Sequence, residues 1–77
     1  MSVEDLLYEI YNDMTCFDII IILNDEGKLI MVEEIGTIPF SFIKEMEYYN
    51  VLIYHVKEIG FKNVYIIKCE KRKEVTK

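Results

Sequence analysis

The fold turns on one stretch, TIPFSFIKEMEYYNVLIYHVKEIG, residues 37–60. Proline is tolerated in a first helical turn, so Pro39 allows a helix to begin anywhere between Thr37 and Ser41. Such a helix runs to Ile59, where Gly60 supplies a left-handed cap and Phe61 can touch Val56 one turn back. Wound at 100° per residue, Tyr48, Ile59, Leu52, Val56, Tyr49, Phe42, Ile53 and Met46 fill an arc of about 160°, against roughly 100° for an ordinary surface helix. Ile43, Val51 and Tyr54 fall outside even that arc.

Upstream, Phe17 to Leu23 is β-branched and strand-like, and Lys28 to Ile35 returns along it. Between them Asn24-Asp25-Glu26-Gly27 makes a hairpin loop, with Gly27 at the left-handed position. A short amphipathic helix over residues 3–13 precedes the hairpin. It is capped by Ser2 and Asp5 and carries Val3, Leu6, Leu7, Ile10 and Met14 at helical spacing. Downstream, Asn63 to Glu70 is a third strand, and Lys71 to Lys77 is a basic, frayed tail. The expected fold is α+β, a single α-β-β-α-β domain over residues 1–70 with a three-stranded sheet and two helices. Strand order 2-1-3 puts the most apolar strand at the centre, with the third strand antiparallel beside the first; order 1-2-3 is the alternative.

Residues are unevenly used: 13 Ile and 6 Tyr, but no Ala, Gln or Trp and a single Arg. Apolar residues make up 52% and charged residues 30% of the 77, a globular composition. A net charge of −5 argues against general nucleic-acid binding, whose affinity comes from neutralising phosphates. That charge is segregated, −8 through Glu34 and +3 from Ile35 onward. The start of the chain has acids and no basic leader, and the longest apolar run, Ile19 to Leu23, is far below the roughly 20 residues of a membrane helix. The expected location is the cytoplasm, with Cys16 and Cys69 as reduced, largely buried thiols.

Both sheet faces are apolar by alternation. Phe17, Ile19, Ile21 and Leu23 point one way and Asp18, Ile20 and Ile22 the other; Leu29, Met31 and Ile35 oppose Ile30 and Val32; Val64 and Ile66 oppose Tyr65, Ile67 and Cys69. An antiparallel sheet covered on one side should alternate with polar residues instead. Either the two helices cover opposite faces, or a second copy or another protein covers the remainder.

Motifs for chemistry are weak. Asp18 with Glu26-Gly27-Lys28 has the Asp…Glu-x-Lys form of metal-dependent nucleases, but its Glu-x-Lys falls in the hairpin loop. His55 is the lone histidine, without a partner at metal or dyad spacing. Glycines 27, 36 and 60 form no phosphate loop. No catalytic residue, metal or cofactor is expected. The functional expectation is a non-enzymatic protein–protein interaction module, homodimeric, with a phage- or virus-encoded inhibitor of a host defence protein as its specific form. The interaction candidates are Tyr48, Val51, Tyr54 and His55 on the long helix and the acids Asp25, Glu26, Glu33 and Glu34, the latter toward a basic partner protein. A nuclease using Asp18, Glu26 and Lys28, or a nucleic-acid-binding regulator using the basic tail, is the alternative.

Overall fold

The computed structural model describes residues 1–13, 18–34 and 37–72. Helix α1 (Val3–Asp13) leads into the hairpin β1 (Ile19–Leu23) and β2 (Leu29–Glu34). Helix α2 (Phe40–Glu45) continues as one 3-10 turn (Met46–Tyr48), and a second hairpin comes next, β3 (Tyr49–Ile59) and β4 (Lys62–Lys71). The result is a small α+β domain with a mixed four-stranded sheet of order β2-β1-β4-β3.

The largest departure from the sequence reading is therefore residues 49–59, a strand where the apolar pattern predicts a helix. The start of the helix is as anticipated, since Pro39 is its cap and its carbonyl accepts from the Phe42 and Ile43 amides. The residues beyond Tyr48 bring it to an end. Tyr49, Val51, Ile53, Tyr54, Val56 and Ile59 are aromatic or β-branched, types that lose side-chain freedom against a helical turn and fit a pleated surface. A bulge at Leu52 breaks the two-residue alternation and so hides the strand from pattern reading. Gly60 does adopt a left-handed conformation, φ +61, but as the first central residue of the two-residue turn joining Ile59 to Lys62. Glycine there is the mark of a type II′ hairpin.

The extra strand also changes the pairing. β4 lies beside β1, as in the preferred order 2-1-3, but parallel to it rather than antiparallel. The chain crosses the sheet between β2 and β3, and β4 then returns antiparallel to β3 into the gap beside β1. Lys71 and Arg72, which the sequence places in the tail, belong to this hairpin. Lys71 pairs with Tyr49, and the Arg72 amide donates to the Tyr48 carbonyl at 2.7 Å. Residues 73–77 lie outside those described, as do Met14, Cys16, Phe17, Ile35 and Gly36.

The local expectations for α1 and the first hairpin hold. The Ser2 hydroxyl oxygen accepts from the Asp5 amide at 3.1 Å, capping α1. In the first loop Gly27 has φ +83, and the Asn24 side-chain oxygen accepts from the Glu26 and Lys28 amides at 2.9 and 2.8 Å.

One core holds the molecule together. Val3, Leu6, Leu7 and Ile10 of α1 pack with Ile43 and Met46 against Ile20, Ile22, Tyr65, Ile67 and Cys69. The strand register puts those five sheet residues on one face, so both helices lie on the same side. Principal extents of 48 × 24 × 17 Å agree. The smallest dimension accommodates one sheet and one helical layer, and a third layer would add about 10 Å. Cys69 is a free, buried thiol whose Sγ donates to the Leu23 carbonyl at 3.3 Å. Burial, and secondarily the charge of Asp25, push its pKa above the ordinary thiol value. Among the described residues no helix is long and apolar enough to cross a membrane.

Candidate interaction surface

Opposite the helices the sheet presents a face that no described element packs on. Register alone generates it, because residues paired across neighbouring strands share a face. One row runs Glu34, Ile19, Val64, Lys57 from β2 across to β3. The next runs Val32, Ile21, Ile66, His55, and the third Leu29, Leu23, Lys68, Ile53. Eight of these twelve positions are apolar. Three of the eight lie on the edge strands and are strongly exposed: Val32 at 48%, Ile53 at 52% and Leu29 at 60%. Ile19, Ile21, Leu23 and Ile66, on the two central strands, are partly exposed, and the eighth, Val64, is buried between its neighbours.

Three rows of residue pairs on four strands span a planar footprint of about 400 Å², taking about 4.8 Å between strands and about 3.3 Å per residue. About two-thirds of its positions are apolar, which puts the patch among the largest that a small monomer exposes, a class that often serves as a contact site. At the Glu34 corner the face dips into an open hollow of about 370 Å³ between Ile19, Val32, Glu33, Glu34 and Thr37. The Thr37 hydroxyl and amide both donate to the Glu34 carbonyl, the amide at 3.3 Å, which fixes Thr37 at this margin. Lys57 stands at the opposite end of the same row, so the row carries an acid on one edge and a base on the other.

The sheet has two edges, β2 and β3, and the outer edge of β3 is the longer. Its beginning is already occupied: Ser2 bridges to Asn50, and the Val51 amide donates to the Met1 carbonyl at 2.9 Å. The bulge at Leu52 bends the remainder, and Lys57 stands on it; both features blunt a strand edge against further pairing.

The structure disperses the residues singled out on the supposed long helix. Tyr48 lies exposed in the 3-10 turn, and Val51 is half-buried against the core. Tyr54 is on the helix-covered side of β3, opposite Ile67, whereas His55 points to the open face opposite Ile66. Helical spacing puts these four together; strand geometry separates them. The acids also divide. Asp25 and Glu26 are in the first loop, while Glu33 and Glu34 are at the far end of β2. Asp18, Glu26 and Lys28 do not converge. Asp18 is fully buried before β1, where its carboxylate accepts from the Asn63 amide at 3.0 Å. Glu26 and Lys28 form a solvent-exposed pair at 3.7 Å beyond the other end of β1, about 17 Å of strand away. No group of three metal-ligating side chains occurs among the described residues.

Sequence alternation exposes part of this surface, since it groups Ile19 with Ile21 and Leu23, and Val64 with Ile66. It misplaces Leu29 by grouping it with Met31. An irregularity in the β1–β2 ladder sets Leu29 opposite Leu23 while Met31 faces Ile22, which puts Leu29 on the open side. Ile53, His55 and Lys57 escape a helical reading as face residues. Their alternation with Tyr54 and Val56 is the signal that could have found them. Compared with protein-family models, curated proteins and solved structures, the chain matches none.

Proposed function

We propose that this chain is a non-enzymatic protein–protein interaction module whose contact surface is the open face of its sheet. The observation that carries the reading is the apolar grid centred on Ile21 and Ile66. An uncovered sheet face ordinarily alternates with polar side chains, and here eight of the twelve outward positions are apolar, with β1 apolar on both sides. Keeping such a surface in water is costly, at roughly 25 cal/mol per Å² of apolar area, and a partner removes that cost. The absence of convergence among Asp18, Glu26 and Lys28 supports a binding role over cleavage.

The test compares three immobilised baits in a lysate of the source organism. These are the wild-type chain, Ile21→Lys, and Tyr8→Lys, which changes the exposed side of α1. Retention of the same species, including the chain itself, by wild type and Tyr8→Lys but not by Ile21→Lys is the expected result. Identical retention by all three, with circular dichroism showing each folded, contradicts the proposal.

A further inference from the structure

Building on that reading, we infer that the occupant of the open face is a second copy of this chain, packed sheet on sheet about a two-fold axis that runs along the strands. Two footprints of about 400 Å², with the side chains standing off them, come close to the roughly 1,000 Å² that a specific interface needs. The dimer is accordingly a dissociable one, with no area to spare for an obligate assembly.

Charge selects the orientation. An axis along the strands lays β2 of one copy over β3 of the other and keeps each row over itself. Glu34 then meets Lys57 of the second copy, and Lys57 meets its Glu34, so two rim pairs form at once. In the centre Ile21 lies over Ile66 of the second copy, and Ile19 over its Val64. An axis across the strands superposes the first row on the third instead. It sets the Glu34 carboxylate against Leu29 and the Lys57 ammonium against Ile53, leaving all four charges without partners. The hollow beside Glu34 gives the incoming lysine a place to sit, between Ile19, Val32 and Thr37. Lys68, in the third row, faces Leu23 of the second copy. Its stem packs on the apolar surface while the ammonium clears the end of the sheet. Edge-to-edge pairing through β3 is disfavoured by the Met1–Ser2 cover and the Leu52 bulge.

Sedimentation velocity over about 1 to 500 µM tests the arrangement with the intact chain. Wild type should pass from 9.2 kDa toward twice that mass. Glu34→Lys or Lys57→Glu alone sets like charges against each other at both rims and should raise the dissociation constant on the order of tenfold. The double reversal, and an equimolar mixture of the two single variants, should restore association to within about twofold. Within one copy the two residues are three strands apart, about 14 Å, beyond the roughly 8 Å screening length, so the recovery has to come from between copies. Ile21→Lys should sediment as a monomer. A wild-type chain that stays monomeric, or a double reversal as weak as the singles, overturns the arrangement. If Ile21→Lys abolishes a dimer that ignores the charge reversals, the face remains a contact surface and this pairing alone fails. A dimer that survives in Ile21→Lys, with the variant folded, overturns both.

Discussion

Along its two central strands this sheet has faces of nearly the same chemistry and different fates. Ile20, Ile22, Tyr65 and Ile67 lie buried beneath α1 and α2, while Ile19, Ile21 and Ile66, one residue along the same strands, are left partly exposed. A central strand reading Ile-Ile-Ile-Ile-Leu cannot say which of its sides a helix will cover. The supply of helical surface decides. With α2 only six residues long and β3 taking the rest of its sequence, the described residues supply one helical layer. Apolar patterning in a strand thus does not by itself say whether a face is covered by another element of the same chain.

Paired truncations put that contrast to its strongest test. Ile67→Ala, beneath α1, should cost about 3–4 kcal/mol in urea unfolding, the range for a buried residue whose cavity cannot collapse. Its neighbour Ile66→Ala, measured at sub-micromolar protein where dimers dissociate, should cost about 1 kcal/mol. Equal costs would mean that the open face is covered within the monomer. A smaller effect concerns the strand that completes the face. Gly60→Val places a β-branched side chain at φ +61, and should destabilise the protein by about 1–2 kcal/mol in thermal unfolding. No change would show that the β3–β4 turn is not fixed as described.

Thiol accessibility sharpens the contrast further. In a Cys16→Ser background Cys69 should react with a thiol reagent only as fast as the protein opens, because its Sγ is buried and bonded to the Leu23 carbonyl. Ile66→Cys in a Cys16→Ser, Cys69→Ser background should react readily when dilute and more slowly as concentration rises. The raised pKa of Cys69 also has a sign. Below the ordinary thiol value of 9.0 the group is protonated in both states and contributes no slope. Above it the unfolded chain ionises first, so stability should fall with rising pH, and Cys69→Ser should remove that part of the fall. An identical alkaline slope in the variant would contradict the burial.

Local signals are the ones legible in the sequence. The Ser2 cap, the Gly27 loop and the start of α2 at Pro39 each depend on a few adjacent residues, and each can be read directly. The β3 strand cannot, because its apolar residues satisfy a helical and a pleated pattern at once and the Leu52 bulge interrupts the second. Its excessive apolar arc is the warning: a stretch apolar on both sides of a strand looks like a helix apolar over too much of its circumference. The open face is half legible, since β1 and β4 alternate without interruption. The rest depends on the β1–β2 irregularity and the β3 register, which are set by strands distant in sequence. The Glu34–Lys57 row joins residues 23 positions apart on opposite edges, and no motif announces it.

Isotope-filtered methyl spectroscopy, on a mixture of labelled and unlabelled chains over the concentration range of the sedimentation experiment, tests the proposed pairing of the open face most directly. Face-to-face pairing predicts intermolecular contacts from Ile21 to Ile66 and from Ile19 to Val64, with none from Ile20, Ile22 or Ile67. Intermolecular contacts confined to the β3 edge or to the helices, or no intermolecular contacts at all, would contradict it.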